Sequence, residues 1–173
     1  MSKTKEVSRR AVISRMAAVG AAGIAVPYFV PATSLGQDGR TSPNEKIGLG
    51  LIGCGGMGRG NLNACAARKD VVVTGACDVW KKRRDAVVAQ YSPSAKPYSD
   101  YRKMLRAKDI DAVIIATPPH WHCLMAVAAC EAGKDIYLQK PMTLHVAETL
   151  AVKNAVARHQ RVSQIGTQIH AGE

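Results

Sequence analysis

The side chains with the clearest chemical potential lie where short apolar runs of the sequence end. Asp78 follows the run "VVVTGAC", Thr117 and Pro118 follow "DAVIIA", and Lys140 follows "KDIYLQ". A carboxylate in such a place can accept hydrogen bonds from ribose hydroxyls, and an amine can orient a substrate hydroxyl and help to move its proton. If the runs are parallel strands, their carboxyl ends meet at one edge of a sheet, so we expect these side chains to converge.

A glycine-rich segment stands between a strand pattern and a helix pattern. The apolar run Ile47–Ile52 has the length of a strand, helical spacing extends from Met57 to Arg68, and the intervening letters "GCGGMG" match G-x-G-x-x-G. A lone match of this kind is weak, but a strand before it, a helix after it and an acid twenty residues further on make a dinucleotide-binding βαβ unit the better interpretation. We therefore predict a cofactor site formed by Gly53, Gly55, Gly56, Met57, Gly58 and Asp78.

Each of these positions has a physical task in such a site. Gly53 permits a tight turn, Gly55 lets a pyrophosphate approach the backbone, and Gly58 lets the helix pack closely against the strand. The first N–H groups of the helix then receive the phosphates. For Asp78 the alternative is a solvated carboxylate at a strand end.

The carboxylate also bears on the choice of cofactor. A negative charge at Asp78 repels the 2′-phosphate of NADP, whereas the basic run Lys81–Arg84 just after it would attract a further phosphate. We predict NAD, with NADP the less favoured cofactor.

The remaining pattern alternates strands and helices. The runs "DAVIIA", "KDIYLQ" and "RVSQIGTQI" are strand-like, Pro119 is suited to the first turn of a helix that ends near Gly133, and Val146–His159 is helical in pattern. This alternation predicts an α/β fold, a doubly wound parallel sheet of the Rossmann type, with its ligands at the carboxyl ends of the strands.

Two histidines, His120 and His122, flank Trp121 at a predicted helix start. Residues two apart on a helix do not face each other and no third ligand is evident, so we predict no metal site. For both, ordering of the loop is favoured over direct contact with a cofactor. We keep His122 as a candidate for such a contact.

Composition narrows the classes of partner. The chain has 173 residues, 47% of them hydrophobic and 21% charged, as is typical of a globular domain. Its formal charge of +11 would suit nucleic acid, but aromatic residues make up only 5% of it, which argues against base stacking. The five cysteines form no CxxC pair, and we expect structural thiols.

The N-terminal segment reads as an export signal. "SRRAVIS" has paired arginines, and a weakly apolar Ala/Gly-rich stretch too short for a stable membrane span follows it. This resembles a twin-arginine signal. We predict a signal over residues 1–36, a linker over 37–45, the Rossmann domain over 46–173, and a periplasmic location. An amphipathic N-terminal helix is the alternative.

Taken together, "GLIGCGGMGRG", "ATPPHWH", "EAGKDIYLQKPM" and "SQIGTQIHAG" resemble the N-terminal half of the glucose–fructose oxidoreductase, inositol dehydrogenase and MocA family. The resemblance implies that Thr117 and Pro118 border the cofactor and that Lys140 is the active-site lysine beside the nicotinamide. Gln139 stands where the family usually has glutamate, and Pro141 completes the segment.

The same resemblance implies a second, substrate-binding domain, which we expect to be absent from this chain, and relatives that often form homo-oligomers. Two functions stay open. One is the NAD(P)-binding domain of an oxidoreductase that moves hydride between a sugar or polyol carbon and nicotinamide. The other is a nucleotide-binding fragment without turnover. The substrate would bind only if a second domain were supplied.

Overall fold

The structure is a computed structural model, and it describes residues 45–167. The predicted export signal and all of the predicted linker except Glu45 lie outside the described residues. The alternative of an N-terminal amphipathic helix lies outside them as well.

Within the described residues, six parallel strands form one sheet in the order β3-β2-β1-β4-β5-β6. Their bounds are β1 Ile47–Ile52, β2 Val71–Cys77, β3 Lys96–Tyr98, β4 Ala112–Ile115, β5 Asp135–Gln139 and β6 Ser163–Gly166. Strand β1 pairs with both β2 and β4, so the direction of winding reverses beside it, and a crevice opens there at the carboxyl ends of the strands. The predicted doubly wound α/β fold is confirmed.

Five α-helices connect these strands in the part of the chain that the structure describes. They are α1 Gly56–Ala66, α2 Lys81–Gln90, α3 Tyr101–Leu105, α4 His122–Glu131 and α5 Val146–His159, and a single 3₁₀ turn, Pro119–Trp121, leads into α4. Helix α1 ends two residues before the predicted Arg68, and the predicted bounds of α5 are confirmed. Gly133, with φ of +74°, follows α4 as the predicted stop.

Two hydrophobic layers bury the two faces of the sheet. In β4, Val113 and Ile115 pack with α3, α4 and α5, while Ile114 between them packs with Leu62 of α1 and Val87 of α2. Successive strand residues point to opposite faces, so a continuous apolar run is needed where both faces are covered. These layers hold the carboxyl edge of the sheet in place, and the loops that follow the strands form the site.

Strand β3 was not predicted from the sequence. It has only three residues, and Pro97 in its middle is tolerated because β3 is an edge strand among the described residues, with β2 as its one hydrogen-bonded neighbour there. Its end brings the N-terminus of α3 to the carboxyl edge, beside the end of β2.

Candidate functional site

The glycine loop between β1 and α1 has the geometry of a tight turn. Gly53 has φ of +93°, a conformation that other residues rarely adopt, and its N–H donates to the carbonyl of Cys77 at 2.9 Å. At Gly58 a Cβ atom would overlap the carbonyl oxygen of Gly53, so helix and loop approach more closely than any side chain would allow. The physical reasons for predicting these two glycines hold in the structure.

The middle of the loop is open. A Cβ atom on Gly56 would meet nothing within 4 Å, and one on Gly55 would meet only the guanidinium of Arg83, 3.9 Å away. The side chain of Met57 is half-exposed. The loop therefore presents free backbone N–H groups and space at the start of α1, as an approaching diphosphate requires.

Asp78 is fixed by the backbone around it. Its Oδ2 accepts a hydrogen bond from the N–H of Cys54 at 2.8 Å, and its Oδ1 accepts one from the N–H of Trp80, also at 2.8 Å. Each carboxylate oxygen can accept more than one hydrogen bond, so both remain able to receive a ribose hydroxyl. The carboxylate is thereby held in one orientation before any ligand arrives.

A cavity of about 690 Å³ opens beside this loop. Gly53, Gly55, Asp78, Thr117 and Pro118 line it, so these predicted residues do converge. Its volume lies within the usual range of small-molecule sites.

The remaining wall of the cavity was predicted only at Arg83, which belongs to the basic run Lys81–Arg84. It comes from the segments after β2 and β3, including the first turns of α2 and α3, and contains Trp80, Arg83, Ser99, Asp100, Tyr101 and Arg102. The Arg83 guanidinium lies 4.5 Å from the ring centre of Trp80, and that of Arg102 lies 4.7 Å from the ring centre of Tyr101. Asp100 caps α3 by accepting from the N–H of Arg102, and this N-cap acid before "YRKML" is a sequence signal for the part of the wall that follows β3.

The segment after β5 lies outside the lining of that cavity. Gln139 is buried, its Oε1 accepts from the N–H of Lys140 at 2.7 Å, and its Nε2 has no hydrogen-bond partner among the described residues. Lys140 and Pro141 are exposed, and Lys140 forms no ion pair with any residue between 45 and 167. This amine is free to meet a ligand.

His122 connects the turn after β4 to the segment after β5. It is 1% exposed, and its ring nitrogens lie 2.8 Å from the carbonyl oxygens of Thr117 and Pro141. These contacts are those that a loop-ordering role would need, and that role stays a prediction. A direct cofactor contact would require one of these two carbonyls to be given up.

We call the Gly53–Gly58 loop with Asp78 the glycine-loop half of the edge. We call the segment from Gln139 to Pro141, together with Thr117, Pro118 and His122, the lysine half. The free N–H groups, the open floor at Gly55 and Gly56 and the fixed carboxylate fit the diphosphate and adenosine ribose of a dinucleotide, whereas the lysine half offers one amine for chemistry.

The two cysteine thiols near the cavity have pKa values well above the ordinary value of a thiol. Burial raises the pKa of the Cys54 thiol to about 12, with the charge of Asp78 adding to the shift, and burial likewise raises that of Cys77 to about 12. All five cysteines are free thiols. Within residues 45–167 there is no cluster of side chains able to hold a metal ion and no helix long and apolar enough to cross a membrane.

Comparison with known proteins matches this chain to one family. The model of the GFO_IDH_MocA oxidoreductase family, described as an NAD-binding Rossmann fold, matches residues 47–167. An inositol 2-dehydrogenase from Salmonella typhimurium is 33% identical over 119 residues, covering 68% of this chain and 35% of that protein.

Two further matches agree with it. A protein named for glycosyl hydrolase family 109, from Shewanella baltica, is 31% identical over 136 residues and covers 74% of this chain and 30% of its own length. The crystal structure of an NAD-binding protein from Listeria innocua superposes with a TM-score of 0.64 at 32% identity, over 70% of this chain and 35% of that one. The chain thus spans about a third of the length of the relatives it matches.

Proposed function

Since this chain belongs to the GFO_IDH_MocA oxidoreductase family and carries its NAD-binding Rossmann domain, we propose that it binds NAD in preference to NADP. The observation that supports this choice is the carboxylate of Asp78. Two backbone N–H groups hold it, so it cannot swing away from the ribose to make room for a 2′-phosphate. A fixed negative charge would repel that phosphate across a short distance.

Arg83 is the feature that argues for NADP. Its exposed guanidinium lies over Trp80 at the rim of the cavity and forms no ion pair with a described carboxylate. It lies equally close to the glycine loop, beside Gly55, where the diphosphate common to both cofactors would pass. We assign Arg83 to the diphosphate, which leaves Asp78 to decide between NAD and NADP.

Calorimetric titration of the purified chain with NAD and with NADP tests this choice. We expect NAD to bind at least tenfold more tightly, and Asp78→Ala to weaken NAD binding and remove the difference. Tighter binding of NADP by the unaltered chain, together with unchanged NAD affinity in Asp78→Ala, would refute the proposal.

We propose further that the whole protein is an oxidoreductase acting on a sugar or polyol. The relatives named for inositol dehydrogenation and glycoside hydrolysis support a polyhydroxylated substrate. NAD when bound supplies a hydride acceptor. Lys140, exposed at the end of β5, is proposed as the catalytic residue that orients the substrate hydroxyl and takes part in moving its proton.

Turnover requires more than this lysine. No described residue covers the exposed amine of Lys140, so nothing in residues 45–167 fixes a substrate carbon there or excludes water. Proximity and orientation supply about 7–11 kcal/mol of barrier lowering in well-positioned reactions. We expect the chain alone to bind NAD without measurable turnover, which is the second function left open by its sequence.

A panel of sugars and polyols given to the chain with NAD tests both functions. No NADH absorbance is expected from the chain alone. For a longer protein that contains this sequence and does turn over, Lys140→Ala should abolish activity, and Lys153→Ala, an equal change at an exposed position of α5, should not. Activity that survives Lys140→Ala would remove the lysine from the mechanism.

The periplasmic location is a separate proposal, supported by the paired Arg9 and Arg10 before a weakly apolar segment. Replacing both arginines with lysine should keep the protein in the cytoplasmic fraction. An unchanged distribution between fractions would reject twin-arginine export.

A further inference from the structure

The imidazole of His122 stands between two backbone carbonyls at the start of α4. Its Nδ1 lies 2.8 Å from the oxygen of Pro141, and its Nε2 lies 2.8 Å from the oxygen of Thr117. Carbonyl oxygens only accept hydrogen bonds, whereas an imidazole ring donates one when neutral and two when both nitrogens carry hydrogen. The ring therefore binds at least one of the two carbonyls in every protonation state.

The two carbonyls belong to the turns that follow two neighbouring strands, β4 and β5. Thr117 follows β4 and precedes Pro118 at the border of the cavity, while Pro141 follows Lys140 at the end of β5. In the described part of the chain no other side-chain hydrogen bond joins these turns. The hydroxyl of Thr117 donates to the sulfur of Met125 at 3.6 Å, and the side chain of Gln139 closes back on the N–H of Lys140.

We propose that His122 is a positioning residue that fixes Lys140 relative to the nicotinamide end of the cofactor. The ring is 1% exposed, so water does not compete for its hydrogen bonds, and α4 holds its backbone while its two nitrogens reach the two turns. Without the ring, the exposed Lys140–Pro141 segment loses the one side-chain hydrogen bond that, among residues 45–167, links it to the turn bordering the cavity. The inference rests on the proposed binding of a nicotinamide dinucleotide.

The test compares two ligands that share the adenosine diphosphate portion. ADP-ribose lacks the nicotinamide, so the ratio of its affinity to that of NADH isolates the lysine half of the site. In the unaltered full chain NADH should bind more tightly than ADP-ribose. In His122→Ala the ADP-ribose affinity should stay within about twofold, while the NADH affinity falls roughly tenfold, as the loss of one well-formed hydrogen bond predicts.

Three further variants separate positioning from support of the fold. His122→Asn carries an amide near the place of Nδ1 and His122→Gln near that of Nε2, so each keeps a donor toward one carbonyl, and at least one should regain part of the NADH preference. His120→Ala is the matched control, because His120 is exposed, its ring lies beside that of Trp121, and among the described residues it forms no hydrogen bond to either carbonyl. It should leave both affinities unchanged. The emission of bound NADH should follow the same order.

Three results would overturn the inference. One is an unchanged ratio of NADH to ADP-ribose affinity in His122→Ala. Another is a proportional loss of both ligands in Ala, Asn and Gln alike, which would mean that the ring only supports the fold. The third is an unaltered chain that binds NADH no more tightly than ADP-ribose, since the lysine half would then contact nothing. An unaltered chain that binds neither ligand would instead refute the proposed function.

Discussion

The glycine-loop half and the lysine half of the carboxyl edge differ in how firmly their polar groups are held. In the first, both oxygens of Asp78 accept backbone hydrogen bonds, and Gly53 and Gly58 pack too closely to admit a side chain. In the second, Lys140 and Pro141 are exposed, and within residues 45–167 the buried ring of His122 is the one side chain whose hydrogen bonds link their segment to the turn after β4.

This difference suggests that the glycine-loop half serves mainly to bind the dinucleotide and the lysine half mainly to promote the reaction. A site whose donors and acceptors are fixed before the ligand arrives loses little entropy when it binds, so the glycine-loop half should supply most of the affinity for a dinucleotide. An exposed amine has no fixed geometry for a reacting atom, and reaction needs that geometry far more than binding does. We therefore expect changes in the first half to weaken the binding of NADH and ADP-ribose alike, and changes in the second half to leave the binding of ADP-ribose nearly unchanged.

The largest effect should come from Gly58→Ala. The new methyl group would overlap the carbonyl oxygen of Gly53, which must shift and take the loop with it. We expect a loss of about 2 kcal/mol in the free energy of unfolding and no measurable NAD binding. Thermal denaturation and calorimetry measure the two effects.

Gly60→Ala is its matched control. Gly60 lies in the same helix, and a Cβ atom there would meet nothing within 4 Å. Alanine should stabilise the helix by up to about 1 kcal/mol and leave NAD binding intact. Equal effects of the two changes would break the claim that close packing at Gly58 shapes the loop.

The next effect is expected from Asp78→Asn. An amide keeps one acceptor but turns an N–H group toward a backbone N–H, so one of the two bonds that fix the side chain is lost. The loss of charge-assisted hydrogen bonds at about 1.5–3 kcal/mol predicts NAD binding roughly 10- to 100-fold weaker. Asp70→Asn is the control. It removes the same charge from an ion pair with Arg68 just before β2, at the amino ends of the strands, and should not alter NAD affinity.

A smaller effect is expected from Arg83→Gln. The guanidinium stands beside Gly55 without an acidic partner among the described side chains, so it should attract the diphosphate across solvent. Such a contact is screened by salt, and we expect NAD binding to weaken by a factor of about five at low ionic strength and less in high salt. Lys82→Gln, one residue earlier and exposed but outside the cavity, should change neither value. A loss confined to NADP would show that Arg83 contacts the 2′-phosphate instead.

The smallest effect should follow Lys140→Ala. Because the amine is exposed and unpaired within residues 45–167, its removal should change ADP-ribose affinity by less than about twofold and leave the melting temperature unaltered. A marked loss of ADP-ribose binding would move Lys140 into the glycine-loop half and break the comparison.

The sequence predicted the glycine-loop half better than the lysine half, for a physical reason. A tight turn, a close helix and a ribose carboxylate require particular residue types at fixed spacing, so β1, the loop, β2 and Asp78 could be read from their letters. The role of His122 depends on the backbone carbonyls of Thr117 and Pro141. Every residue has a backbone carbonyl, so the sequence does not show which of them a buried ring will contact. Only the packing of β4 beside β5 brings these two together.

The part of the cavity wall that follows β3 was missed for a related reason. Strand β3 is short and carries Pro97, so it gave no alternating apolar pattern, and the local sequence did not place the residues from Ser99 to Arg102 at the cavity. Their place at the cavity follows from the pairing of β3 with β2. Long-range pairing of this kind is set by the whole sheet rather than by local spacing.

Titration of the full chain with the two separate halves of NAD tests the central claim most directly. Calorimetry would compare adenosine diphosphate, which fits the glycine-loop half, with nicotinamide mononucleotide, which could engage only the lysine half. We predict saturable one-to-one binding of adenosine diphosphate, and binding of nicotinamide mononucleotide that is at least a hundredfold weaker, a difference of about 2.7 kcal/mol or more. Nicotinamide mononucleotide that bound as tightly as adenosine diphosphate would contradict the account.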